Sequence, residues 1–204
     1  MPENKVRRDF GELANLQNSR KNSAFAAATI RHIGDKLYNF FTEKRPNYSL
    51  VVDGYKNWEG RGENSVYVNT LCGANNFLHA VPYFATLLTL KRSGEILMGF
   101  VNCYSTGETF FVSKGSGAFL NDRRIRVSSR TMEESTLVSV KCDRSSGLFE
   151  KLLPKFGPPR VTGCYPLDIC YTACGRYDAC VVMDGDEEEL KLGKLLITEA
   201  GGLH

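Results

Sequence analysis

From Ser23 to Lys44 the apolar residues Ala26, Ile30, Ile33, Leu37, Phe40 and Phe41 recur every three or four positions. That period gathers them on one face of an amphipathic helix, which Pro46 ends. The period then shortens. Ser49 to Asp53 and Ser65 to Asn69 are short runs rich in Val, Tyr and Leu, the composition of strands. Phe84 to Lys91, Ile96 to Tyr104 and Thr109 to Ser113 predict three more strands. Ser93-Gly94 and Thr106-Gly107 supply turn chemistry between them, so an antiparallel meander is the simplest arrangement. Gly115-x-Gly117 and Asn121-Asp122 add a hairpin leading into Ile125 to Val127.

Past residue 130 the pattern changes to strands alternating with helices. Thr136 to Val140 predicts a strand, Ser145 to Phe156 a helix and Arg160 to Thr162 a strand. Leu167 to Cys174 predicts a helix stopped by Gly175, Ala179 to Met183 a buried strand, and Glu187 to Glu199 a helix closed by Gly201-Gly202. The reading is two lobes: an antiparallel-sheet lobe over residues 1–130 and a smaller α/β lobe over 131–204, with the boundary between Ser128 and Glu134.

Composition narrows the class. A chain of 204 residues with 42% hydrophobic content can bury a substantial core. A net charge of +3 is too small to imply nucleic acid, and the clusters Arg7-Arg8 and Arg123-Arg124-Ile125-Arg126 read as solvated surface rather than a nucleic-acid motif. Seven cysteines form no CxxC pair and lie far in sequence from His32, His79 and His204, so zinc is not expected and the thiols read as reduced. No apolar run approaches the ~20 residues of a membrane span, and Met1 to Arg8 has no signal-peptide core. A cytoplasmic protein without membrane contact is the expectation.

The stretch Asn69-Thr70-Leu71-Cys72-Gly73-Ala74-Asn75-Asn76-Phe77, followed by Pro82, carries the chemistry. It resembles the signature of the inositol monophosphatase family, Asp-Pro-Leu/Ile-Asp-Gly-Thr-x-Asn-Phe with a later Pro. Leu71, Gly73, Asn76, Phe77 and Pro82 are in place. The similarity continues in register and is strongest to the family's bacterial SuhB-type branch. Arg8-Asp9-Phe10-Gly11 with Asn15-Leu16-Gln17 resembles the segment that closes a first helix. Lys114-Gly115-x-Gly117-Ala118-Phe119-Leu120-Asn121 resembles a glycine-rich hairpin. Leu167-Asp168, Gly175-Arg176-Tyr177-Asp178 and Thr198-Glu199-Ala200-Gly201-Gly202 keep the expected spacing. The resemblance implies the layered α/β (α+β) sandwich of metal-dependent sugar phosphatases.

The same register implies a degenerate site. Active members gather Mg²⁺ ions with carboxylates, and the ions hold the phosphate and acidify the attacking water. Here the metal positions fall on Asp53, Asn69, Cys72 and Glu189, so both signature Asp positions are lost and one acid is shortened, another lengthened. Ala74 replaces the Thr that helps position water, and Asn22-Ser23-Ala24-Phe25 has no acid to partner it. A substrate-contacting Glu falls at Val182. Gly73 and Gly163 are the remaining substrate-binding candidates. Mg²⁺, expected from the family, has too few hard oxygen ligands here to bind well, since a neutral amide and a soft thiol are poor substitutes.

Two features are decoys. The acidic run Asp184-Gly185-Asp186-Glu187-Glu188-Glu189 lacks calcium-loop spacing and reads as a solvated helix N-terminus favoured by the dipole. Cys72 has no following Arg to close a phosphate cradle, so it reads as a packing residue rather than a nucleophile. The family also continues beyond the Glu-Ala-Gly-Gly turn, so stopping at His204 predicts an open sheet edge that invites pairing. The resemblance therefore implies a catalytically inactive, SuhB-like member. The alternatives are a weak Mg²⁺-dependent phosphatase of inositol 1-phosphate or a related sugar phosphate, and a non-catalytic partner in transcription antitermination or ribosome maturation; the resemblance also implies a homodimer.

Overall fold

The computed structural model describes residues 2–13, 19–131, 136–143 and 146–204. Helices α1 (Pro2–Leu13) and α2 (Ser19–Lys44) form an outer layer. α1 contains the Arg8–Gly11 segment; Asn15–Gln17 lies outside the described residues. The two helices are joined by a buried polar contact, in which the Thr29 hydroxyl donates to Asp9 Oδ2 at 2.8 Å. A hydrogen bond to a charged acceptor shielded from water is worth roughly 1.5–3 kcal/mol, enough to fix how the helices pair.

Eight strands make the main sheet: β1 (Ser49–Val52), β2 (Asn57–Trp58), β3 (Asn64–Cys72), β4 (Ala85–Arg92), β5 (Glu95–Cys103), β6 (Glu108–Ser113), β7 (Gly117–Leu120) and β8 (Arg123–Arg124). Their order is β2-β1-β3-β4-β5-β6-β7-β8. From β3 onward each strand pairs antiparallel with the next, the meander expected from the turn residues. The tight β4–β5 turn places Ser93 at φ 49° and Gly94 at φ 84°, the left-handed pair that suits the twist of a two-residue hairpin. One edge departs from the antiparallel pattern, because β1 runs parallel to β3. After β2 the chain returns to the start of β1, where Gly62 N–H donates to Asn47 O at 2.8 Å, so β3 must leave in the same direction as β1.

Beyond residue 136 come β9 (Val138–Lys141), α4 (Leu148–Phe156), α5 (Tyr165–Ala173), β10 (Ala179–Val182) and α6 (Glu187–Glu199). β9 and β10 pair in parallel as a second, small sheet. The strand expected over 160–162 reduces to a single bridge of Arg160 to Ser139. Pro158 and Pro159 offer no N–H before it and Gly163 leaves at φ 81°, so the ladder cannot extend either way. Residues 132–134, within the expected lobe boundary, and Ser145, the expected start of α4, lie outside the described residues.

α5 and α6 pack against the inner face of the meander. Leu87, Val101, Phe110 and Val112 meet Ile169, Leu192 and Leu196 in the largest core cluster, which thus draws on residues from both sides of position 130. Gly99 allows this approach, since a Cβ there would stand 2.2 Å from Leu192 Cδ1. On the outer face α2 covers β1 and β3, with Phe41 over Leu50, Val52, Val66 and Val68. A third cluster seals the end of the sheet around the fully buried Phe77 and Phe84, each contributing about 1.5–3 kcal/mol of transfer free energy. The glycine-rich hairpin is tied to the end of α6: the Glu199 carboxylate accepts from Gly115 N at 2.6 Å and Gly117 N at 2.8 Å.

Candidate functional site

Strict alternation along β3 would send Asn69 and Cys72 to opposite faces of the sheet. The ladder with β4 shifts register between these two residues, and the shift returns Cys72 to the side of Asn69. Both then reach one acceptor. Asn69 Nδ2 donates to Glu189 Oε1 at 2.6 Å, and Cys72 Sγ lies 3.6 Å from the same oxygen.

Glu189 is delivered by the first turn of α6. Asp186 caps the helix, accepting from the N–H groups of Glu188 and Glu189, and its own N–H donates to the Tyr165 hydroxyl at 2.8 Å. Glu188 anchors the helix to the sheet through Lys91 on β4 at 2.7 Å, and Glu187 pairs with Lys191 one turn on. Each acid from 186 to 189 therefore has a protein partner; the run opens the helix as the sequence predicts, but the expectation that it is solvated needs correction at Glu189, which the sheet covers. Glu189 itself is buried, with 5% of its surface exposed.

The orientation of the Asn69 amide follows from its two bonds. Its Oδ1 accepts from Leu71 N–H at 3.0 Å. Turning the amide over would set its oxygen against the Glu189 carboxylate and its NH₂ against the Leu71 N–H, two repulsions in place of two bonds. A donor thus faces the point where a signature carboxylate would supply an acceptor. Cys72 offers no thiolate, because burial, and then the neighbouring Glu189, push its thiol well up. Tyr165 and Tyr67 border the cluster, and burial and the nearby carboxylates raise both phenols. Asp53, just past β1, donates its backbone N–H to Val68 O at 2.8 Å while its side chain is exposed, and no hydrogen bond joins it to Glu189. Among the described residues no group of three or more His, Cys, Asp or Glu side chains is placed to hold a metal ion. The residues present do not fit Mg²⁺, whose octahedral shell calls for several oxygen acceptors.

The substrate-side candidates do come together. Gly73, at φ 78°, caps the short helix α3 (Ala74–Leu78), and Ala74 stands half-buried at its start with no hydroxyl to offer. A Cβ on Gly73 would meet Cys164 Cβ at 2.9 Å, so the loop containing Gly163 lies against the signature. Asn76 Nδ2 fastens the two, donating to Tyr83 O and to Thr162 O at 2.8 Å each. Beneath them Asp168 accepts from the Tyr83 hydroxyl at 2.7 Å and from the Thr162 hydroxyl at 2.8 Å. Burial raises Asp168 to about 6 despite these donors. Val182, at the expected position of a substrate-contacting Glu, is a half-buried apolar residue of β10. Sequence reasoning missed the Tyr83–Thr162–Asp168 group and the part played by Tyr165. Asp168 stood in a matched segment, whereas nothing in the spacing of Tyr83 or Tyr165 marked them.

Residues 68–204 match the model of the inositol monophosphatase family. The chain is 34% identical to inositol-1-monophosphatase of Caulobacter vibrioides, over 96% of this chain and 81% of that protein. It is 35% identical to the Nus factor SuhB of Pseudomonas aeruginosa over 78% of this chain and 63% of that one. The crystal structure of extragenic suppressor protein suhB from Bartonella henselae superposes with a TM-score of 0.85 at 26% identity, covering 98% of this chain and 80% of that chain. Signature frame, layered sandwich and relatives agree: the chain belongs to the inositol monophosphatase family, as a SuhB-like member.

Proposed function

We propose that this chain is a non-catalytic member of its family that acts through macromolecular contacts rather than by hydrolysing phosphate esters. One observation carries the reading: the 2.6 Å bond in which the Asn69 amide donates to Glu189, held in that sense by Leu71 N–H. A site that turns an N–H and a neutral thiol toward its remaining acid has exchanged cation binding for an internal hydrogen-bond cluster. The absence of a hydroxyl at Ala74 removes the water-positioning group as well. The Pseudomonas aeruginosa relative is named a Nus factor, which supports a partner in transcription antitermination, or in ribosome maturation, as the form the function takes. Homodimerisation belongs to the same proposal.

The test is phosphate release from inositol 1-phosphate by folded protein across a Mg²⁺ titration, with Glu189→Gln as control. The expected result is no turnover above the control. A second reading, a weak Mg²⁺-dependent phosphatase, is favoured by the names of relatives such as the Caulobacter vibrioides inositol-1-monophosphatase and by the acids kept at Asp53 and Glu189. Saturable turnover that disappears in Glu189→Gln would establish it and overturn the first. Affinity capture recovering no transcription or ribosome-assembly component would count against the partner role.

A further inference from the structure

Among the described residues, the outer face of the main sheet is covered over only part of its width. In register, Val52, Val68, Leu88, Phe100, Phe111, Phe119 and Arg124 stand opposite one another across β1, β3, β4, β5, β6, β7 and β8. α2 packs on β1, β2 and β3, and Val52, Val68 and Leu88 belong to the cluster beneath it. α5 and α6 occupy the opposite face. Phe100, Phe111 and Phe119 continue the row beyond α2, with Phe100 39% exposed and the other two half-buried. Single exposed apolar residues are ordinary, but an unbroken aromatic row on three neighbouring strands is a patch.

We propose that this face receives an acidic amphipathic helix of a partner protein. Width is the first argument. Three strands at ~4.8 Å spacing span the ~10–12 Å diameter of one α-helix, so one helix beside α2 would complete the layer. Charge is the second. The row ends on Arg124, which pairs with Phe119, whereas Arg123 pairs with Leu120 and lies on the opposite face, beside the inner core cluster. Arg124 has no acidic partner among the described residues, so a carboxylate on the incoming helix would meet an unpaired guanidinium group at the end of the row.

Ring geometry argues against single-stranded nucleic acid. Phe100 and Phe111 lie 4.7 Å apart at 33°, and Phe111 and Phe119 6.1 Å apart at 29°. The rings lean on one another along the row, so each has part of its surface taken by a neighbouring ring, whereas base stacking needs free faces. A second copy of this chain is a poor occupant as well. Its exposed apolar helix α4 carries Lys151 and Lys155 against Glu150 alone, and its acid-tipped α6 is packed in the core.

Two synthetic helical peptides with the same Leu face test the proposal, one with Glu and one with Lys at the polar positions. Their binding is measured by fluorescence anisotropy at low salt. The Glu peptide should bind saturably and the Lys peptide at least tenfold more weakly. Phe111→Ser, an outward-facing change, should weaken the Glu peptide about tenfold or more, and Arg124→Glu should remove the preference for the Glu peptide. Equal binding of both peptides, or binding indifferent to these variants, would overturn the proposal. So would a Phe111-dependent dimer in sedimentation equilibrium, or an oligouridylate that displaces the Glu peptide and loses affinity in Phe111→Ser.

Discussion

Asn69→Asp would restore a carboxylate at a family metal position, and it is expected to destabilise the protein. The change removes the donor that now meets Glu189 Oε1 at 2.6 Å. A hydrogen bond to a charged group is worth roughly 1.5–3 kcal/mol. The replacement also sets two carboxylates together at a buried point. With charge centres about 4 Å apart in an effective dielectric near 20, their repulsion is about 4 kcal/mol if both ionise. The folded variant avoids that by keeping a proton between them, a proton that the unfolded chain releases above the ordinary carboxylate range. The folded state then binds more protons than the unfolded one, so stability falls as pH rises, by about 1.4 kcal/mol per unit where the difference is one proton. The expected loss is about 3–4 kcal/mol at pH 8, shrinking to about 1 kcal/mol near pH 5. Urea unfolding followed by circular dichroism, with chelator present, measures it against the wild type at both pH values. A variant as stable as the wild type at pH 8 would refute the reasoning, because the amide would then not be what satisfies Glu189.

Three further outcomes follow from the same neighbourhood. Asp168, raised to about 6 by burial, holds its proton more tightly folded than unfolded, so its contribution is full below about pH 4 and is lost as pH rises through about 6; Asp168→Asn should flatten that part of the stability–pH curve, as the difference between the variant's and wild type's urea midpoints at pH 4, 5, 6 and 7 will show. Gly73→Ala should cost about 2–3 kcal/mol by the same unfolding assay, since φ is 78° and the new Cβ would press on Cys164 and the Tyr83 carbonyl. Cys72, buried and with its thiol pushed up, should resist iodoacetamide in the folded protein and react on unfolding; rapid native labelling, mapped by peptide mass, would contradict the closed cluster.

The elements that sequence described well are those whose pattern is local. The meander follows from strand runs and turn pairs such as Ser93-Gly94, and α6 spans Glu187–Glu199 as its acidic start and the Gly201-Gly202 stop imply. The parallel pairing of β1 escaped because it depends on where the chain travels between Gly54 and Asn64, and no periodicity encodes that path. At the site, the losses at Asn69, Cys72 and Ala74 were legible as substitutions within a recognisable frame. What those residues do instead was not, because the Asn69–Glu189 bond joins positions 120 apart in sequence. Tyr83 and Thr162 were invisible for the same reason: an ordinary tyrosine and threonine gain a role only when two distant segments converge on Asp168.

The placement of α5 and α6 against the meander has a consequence during synthesis. β4 to β8 are joined by short turns, and β3 is joined to β4 through the short helix α3, so the meander needs only nearby residues to pair and can assemble once Arg124 has been made. Their inner face, with Val101, Phe110 and Val112, is closed only by helices that end at Glu199, 75 residues later (199 − 124). At roughly 5–20 residues per second, the apolar face stays open for about 4–15 s behind an advancing ribosome. Over that interval the nascent sheet is a substrate for chaperones and for its neighbours on a polysome, and the rate of translation through residues 125–199 becomes a determinant of how much chain reaches the folded state.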